Sequence, residues 1–341
     1  MKIAPIIYLI GLLLCILSLF MIIPAFVDWF YGNDDWPAFV GASFITLFVG
    51  SICYLSNKGI ITEHLELRQA FLLTNSAWIS IALFGSIPFM LSEIDMSFTD
   101  AIFESTSGIT TTGATVINNL DTTSHGILIW RALLQWLGGV GIIVMALAVL
   151  PMLSIGGMQL FKTESYETPD KVVPKAASFA AGISMVYISL TTLWALMLWI
   201  AGMPIFDSIA HAMTTIATGG YSTKSESLAA FGSSSIEIII IFGMMVGSLP
   251  FVHYLSISRN GFKNLIKDDQ VKLFLTIIIF VVFVISIYLS FQNVPYLEAL
   301  RLASFNVISI LTGTGFGTSD FNNWGGFPTT ILLILMFVGG C

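Results

Sequence analysis

Apolar runs of two different lengths limit how this chain can fold. Crossing the roughly 30 Å of a bilayer's hydrocarbon core takes about 20 helical residues. Eight runs meet that length wholly or in part: 3–27, 38–57, 69–92, part of 132–161, 176–203, 238–258, 273–294 and 325–341. Three others, 98–112, 205–218 and 296–312, are too short to cross and run into glycine. A short segment that enters hydrocarbon has to turn back, and its turn leaves backbone groups without helical partners. Such backbone is tolerated at that depth only inside protein or beside a water-filled cavity.

The composition fits a chain built for lipid. Hydrophobic residues make up 56% of the 341 positions and charged residues 10%, with a mean hydropathy of +0.91. An average soluble domain carries about 25% charged residues. A net charge of −7 argues against nucleic acid as a partner, since that calls for clustered Lys and Arg. Cys15, Cys53 and Cys341 sit in apolar runs without paired spacing, and His64, His125, His211 and His253 stand singly. Neither a disulfide framework nor a zinc site is expected. No small-residue cleavage site follows the first apolar run before the acidic stretch Asp28 to Asp35, so no cleaved signal peptide is expected.

Charge counting orients the chain. With the N-terminus in the cytoplasm and each short segment returning to the outer face, ten basic residues lie inside: Lys2, Lys58, Arg68, Lys162, Lys171, Lys175, Arg259, Lys263, Lys267 and Lys272. Only Arg131, Lys224 and Arg301 lie outside, a strong positive-inside bias. Of the 20 acids, 13 fall on the outer side, where they draw cations.

The short segments are copies of one another. FTDAIFESTSGITTTGAT (98–115), IFDSIAHAMTTIATGGYS (205–222) and LRLASFNVISILTGTGFG (300–317) bring Gly113, Gly220 and Gly315 into register. Six positions earlier each copy has a hydroxyl (Ser107, Thr214, Ser309), and nine positions earlier a polar side chain (Glu104, His211, Asn306) expected to brace the short helix. Each copy lies between spanning runs, and the following run carries glycines of its own: Gly138, Gly139 and Gly141, then Gly243 and Gly247, then Gly339 and Gly340. For Gly243 and Gly247 close helix packing is the expected use. The organisation expected is a two-helix N-terminal extension (1–60), a first pore repeat (61–175), a second (176–268) and a third (269–341).

A turn of exposed carbonyls has one well-understood use, replacing the hydration shell of a cation. GTGFG (313–317) is similar to the potassium-channel filter pattern TVGYG; TGGYS (218–222) keeps its central glycine and aromatic, and TTGAT (111–115) only the glycine. Each short helix aims its partially negative C-terminal end at the turn, favouring a cation there. The expected K⁺ ligands are the carbonyls of Thr111, Thr112, Gly113, Thr218, Gly219, Gly220, Gly313, Thr314 and Gly315.

Over its whole length the chain resembles the Trk/Ktr/HKT superfamily of potassium transporters. TTTGATV (110–116), TIATGGYST (215–223) and LTGTGFGTSDF (311–321) carry the resemblance. The two spanning runs ahead of the first repeat look like the bacterial TrkH branch rather than KtrB. The resemblance implies an all-α membrane protein of helix–pore-loop–helix units around a central pore, sited in the cytoplasmic (inner) membrane. It implies potassium uptake without an organic cofactor, a homodimer, and control by a cytosolic nucleotide-binding TrkA-type subunit. It also implies a glycine-rich gating loop whose beginning matches Gly339, Gly340 and Cys341. The family has four filter loops and this stretch holds three, so a fourth is expected beyond it, near position 415, and residues 1–341 alone are not expected to transport.

Two other classes compete. A secondary transporter also breaks helices at glycine, but through inverted repeats and unwound full-length helices, whereas these repeats are parallel. An intramembrane enzyme is marked by buried ionisable groups, for which Asp100, Glu104, Asp207, His211 and Glu298 are the candidates. No nucleophile–base pair or metal spacing accompanies them, and no catalytic residue is assigned.

Overall fold

The computed structural model describes residues 3–58, 67–153, 172–251, 253–255, 265 and 267–339, and within them every regular element is helical. In chain order these are α1 (Ala4–Tyr31), α2 (Trp36–Ser56), α3 (Leu67–Gly85), α4 (Ile87–Leu91), α5 (Phe98–Ile109) and α6 (His125–Leu153). They continue with α7 (Val172–Ile200), α8 (Ile205–Ile216), α9 (Ser234–Ser248), α10 (Asp269–Phe291), α11 (Tyr296–Leu311) and α12 (Gly326–Val338). Ala4–Tyr31, Trp36–Ser56, Arg68–Leu91, Ala180–Ile200 and Asp269–Phe291 are long and apolar enough to cross a membrane. Large apolar side chains cover their outer surfaces, Ile279 being 70% exposed and Phe280 66%. Lipid tails are as apolar as those side chains, so such exposure carries no penalty and small or polar residues turn inward.

The chain forms two compact units. The first comprises Met1–Thr110, Ala114–Asn118 and Thr122–Ala180; the second Thr111–Gly113, Asn119–Asp121 and Ala181–Cys341.

In the first unit α1 packs against α2, α3 and α6. Gly11 and Gly50 face each other where α1 meets α2: a Cβ on Gly11 would lie 2.8 Å from the Gly50 carbonyl, so the backbones touch. The hairpin between them closes at Gly32, in left-handed conformation (φ 73°), whose N–H bonds the carbonyls of Asp28 and Trp29. The run expected over 3–27 therefore continues as helix to Tyr31 and buries Asp28, which accepts the Gly126 N–H at the start of α6. Asp35 accepts the Ser124 hydroxyl at 2.7 Å and the Glu93 N–H at 2.8 Å, tying the hairpin to the first repeat.

Two other runs differ from their expected outlines. The run 69–92 breaks at Ser86 into α3 and α4, because Pro88 lacks the N–H that would continue the helix. The Gly85 carbonyl at the break is taken by the Trp130 indole N–H at 3.0 Å. The run 238–258 is continuous helix only to Ser248, where Leu249 is extended (ψ 149°). The proline at 250 disfavours helical geometry in the residue before it.

The three short runs are helices α5, α8 and α11, of 12, 12 and 16 residues. At 1.5 Å per residue they reach about 18, 18 and 24 Å, short of a crossing. Each has an acid as its third residue: Asp100, Asp207 and Glu298. That places negative charge on the positive end of the helix dipole. Three of the carboxylates that made an enzyme conceivable are thus helix-end groups. After each turn comes a short 3₁₀ segment, at Leu120–Thr122, Ser227–Phe231 and Phe321–Trp324, and then the next helix.

Candidate functional site

Backbone geometry is what the three turns share. Thr111 and Gly113 have φ of 57° and 80°, Thr218 and Gly220 51° and 75°, and Gly313 and Gly315 73° and 82°. Thr112, Gly219 and Thr314, between them, lie outside the left-handed region. Every turn therefore alternates the sign of φ at the same three register positions. Such alternation lets successive peptide planes present their carbonyls to one side, which a strand or a helix cannot do. Glycine takes these angles freely, but a β-branched residue there is a true outlier. Thr111 and Thr218 each hold about 1–2 kcal/mol of local strain on that account. Strain of this kind persists only where surrounding structure overrides it, and it concentrates at functional sites.

All nine turn residues belong to the second unit, although the first turn's flanking residues belong to the first. Gly220 lies so near the third turn that a Cβ on it would overlap the Thr314 carbonyl oxygen. Further out, hydrogen bonds lace the repeats together. Leu228 N–H donates to the Gly317 carbonyl and Gly317 N–H to the Ser227 hydroxyl, both at 3.2 Å. Leu120 N–H donates to the Ser225 hydroxyl at 3.0 Å.

The hydroxyl six residues before each aligned glycine has a definite job in two repeats. Ser107 donates to the Ala114 carbonyl at 2.6 Å and Ser309 to the Phe316 carbonyl at 2.7 Å, each one residue past the glycine. Thr214 instead bonds back to the Ala210 and His211 carbonyls at 3.2 Å. The polar residue nine before is a brace in all three, as expected. Glu104 accepts the Thr115 hydroxyl at 2.9 Å and the Val116 N–H at 3.0 Å. His211 donates from Nδ1 to the Asp207 carbonyl at 2.8 Å, which leaves Nε2 to accept the Ser222 hydroxyl at 3.0 Å. Asn306 donates to the Leu302 carbonyl at 2.9 Å and reaches the Thr318 and Ser319 hydroxyls at 3.4 Å.

Two features escaped the sequence. The first is Arg131 on α6, 1% exposed, whose Nε donates to Glu104 at 2.7 Å. Breaking a buried pair by removing one partner costs about 3–5 kcal/mol. An arginine within an otherwise apolar run was the available signal. The second is a glycine seat beneath each short helix. A Cβ on Gly138 would overlap the carbonyl oxygen of Ile109, and one on Gly339 that of Leu311; on Gly247 it would lie 2.9 Å from that of Ile216. Ile109, Ile216 and Leu311 are the last residues of α5, α8 and α11. Gly247 is thus a packing glycine as expected, and Gly339 has the same contact; Gly340 and Cys341 lie outside the described residues.

The three basic residues assigned to the outer side are all ion-paired: Arg131 with Glu104, Arg301 with Glu237 at 3.1 Å, and Lys224 with Asp121 at 3.5 Å. None of them meets an arriving cation as an uncompensated charge. At Asp121 the Ser225 hydroxyl, followed by the Ser225 N–H and Lys224, holds the carboxyl below the usual carboxylate range.

An all-helical, multi-pass membrane protein with repeated short helices ending in glycine turns of alternating φ is a narrow class, and the similarities to known proteins agree with it. A family model described as TrkH, a cation transport protein, matches residues 36–341. Among curated relatives, the Trk system potassium uptake protein TrkI of Halomonas elongata is 36% identical over 99% of this chain and 69% of its own length. TrkH of Salmonella typhimurium is 38% identical over 98% of this chain and 70% of its own. The crystal structure of the potassium transporter TrkH from Vibrio parahaemolyticus matches with a TM-score of 0.91 at 36% identity, covering all of this chain and 71% of that one. The chain belongs to the TrkH family of cation transport proteins.

Proposed function

We propose that this protein takes up potassium ions through a pore whose narrowest part is lined by the carbonyls of Thr111–Gly113, Thr218–Gly220 and Gly313–Gly315. The observation that carries the assignment is the alternation of φ at the same register in three separate turns, a geometry that lets successive carbonyls face one side. A dehydrated cation recovers its lost water ligands from such carbonyls, and the C-terminal ends of α5, α8 and α11 add partial negative charge. The outer acids raise local cation concentration, and the paired state of Arg131, Lys224 and Arg301 leaves that attraction unopposed.

Under the same assignment the repeats are the functional modules (61–175, 176–268 and 269–341 behind the 1–60 extension), and the N-terminus is cytoplasmic, the membrane being the inner one. The stretch beginning at Gly339 starts a gate beneath the pore. The names of the relatives, which describe a Trk system, support a cytosolic TrkA-type regulatory partner, and a second copy of the chain completes the assembly.

Ion flux in proteoliposomes made with the intact protein tests the assignment. K⁺ and Rb⁺ should enter and Na⁺ should be largely refused. Equal K⁺ and Na⁺ entry, or none, would overturn it.

A further inference from the structure

Glycine content and bracing run in opposite directions between the first turn and the third. The first (Thr111, Thr112, Gly113) has one glycine, the second (Thr218, Gly219, Gly220) two, and the third (Gly313, Thr314, Gly315) two, including both left-handed positions. Behind the first stands a buried carboxylate making two bonds of 3.0 Å or less to the outer end of the turn. The second has an imidazole with one such bond and the Asp207 carboxylate accepting the Thr223 hydroxyl, and the third an amide with two contacts at 3.4 Å. A carboxylate accepting an N–H makes a shorter and stronger bond than a neutral group does.

The Glu104 contacts divide the labour of the carboxylate. Oε1 takes the Arg131 Nε–H and the Thr115 hydroxyl, while Oε2 takes the Val116 N–H. Ser107 holds the Ala114 carbonyl. Three consecutive residues immediately after Gly113 are pinned, and Thr111 keeps a left-handed φ that in the third turn is left to glycine.

We propose that Glu104, anchored by Arg131, is the positioning residue that holds the first turn in its ion-facing conformation, and so sets how sharply the pore discriminates among monovalent cations. This rests on the filter assignment above. Glu104 touches no ion; it acts through the backbone of residues 114–116. Asn306 carries little of the same load, because Gly313 adopts its φ without strain.

The experiment measures Na⁺ relative to K⁺ permeability in the intact reconstituted protein, with thermal unfolding as a control on the fold. Losing charge-assisted bonds at the brace should raise the Na⁺/K⁺ ratio about tenfold or more in Glu104→Ala. Glu104→Gln, which keeps an acceptor oxygen, should fall between it and the wild type, and Asn306→Ala should move the ratio less than about threefold. Thr111→Gly added to Glu104→Ala should restore much of the lost selectivity, a coupling that a merely structural role does not predict. An unmoved ratio in Glu104→Ala, an equal shift in Asn306→Ala, or no rescue by Thr111→Gly overturns the inference. If Glu104→Ala does not accumulate, Glu104→Gln and Thr115→Val carry the test, and two unmoved ratios overturn it. A wild type without K⁺ preference sinks the filter assignment and this inference together; a K⁺-selective wild type with unmoved variants sinks this one alone.

Discussion

Gly220→Ala separates the two demands placed on a turn glycine, because Gly315 supplies the matched control. Both have left-handed φ, 75° and 82°, but a Cβ on Gly220 would overlap the Thr314 carbonyl, whereas one on Gly315 would meet nothing within 4 Å. An L-residue in this region costs about 1–2 kcal/mol, and both substitutions pay it. Relieving the overlap at Gly220 requires the Thr314 carbonyl to withdraw, and overpacking of a tight site adds about 1–3 kcal/mol. The totals are then about 2–5 kcal/mol for Gly220→Ala and about 1–2 kcal/mol for Gly315→Ala. Since about 1.4 kcal/mol is a factor of ten, K⁺ flux should fall about thirtyfold to a thousandfold or more in the first and about five- to thirtyfold in the second. Only the first should also raise Na⁺ entry strongly, because it displaces a neighbouring ligand as well as straining its own turn. The assay is Rb⁺ and Na⁺ uptake into proteoliposomes made with the intact protein, with unfolding curves to exclude loss of fold. Equal effects of the two substitutions would refute the contact between the second and third turns as the cause. Unchanged flux in both would refute the proposed filter.

The glycine seats make a second contrast. Gly138→Ala should lower the unfolding temperature by several degrees, an overpacking cost of about 1–3 kcal/mol at the Ile109 carbonyl, while Gly141→Ala, whose Cβ meets nothing within 4 Å, should be neutral or slightly stabilising; equal melting of the two would remove the seat. The Asp121 link predicts a pH profile. Its folded-state carboxyl is held low by Ser225 and Lys224, so its contribution is fully present above the ordinary carboxylate range and is lost only as pH falls through the depressed folded value. Melting curves of the intact protein and of Asp121→Asn should differ by a constant amount from pH 8 to 5 and converge in acid; convergence on raising the pH instead would show the sign to be wrong.

Much of this protein is readable along the chain because hydropathy and glycine register are local properties. The lengths of apolar runs separated α5, α8 and α11 from the spanning helices, and Gly113, Gly220 and Gly315 marked where left-handed backbone was needed. Even the brace at Glu104, His211 and Asn306 was visible from its repeated spacing. What it braces against was not. The pairing of Glu104 with Arg131, 27 residues away, and the seating of Ile109, Ile216 and Leu311 on glycines of the following helices, depend on how separate segments pack. The left-handed φ at Thr111 and Thr218 ran against local preference and was equally hidden. Threonine does not choose that conformation by itself; such strain persists only where the surrounding structure overrides local preference.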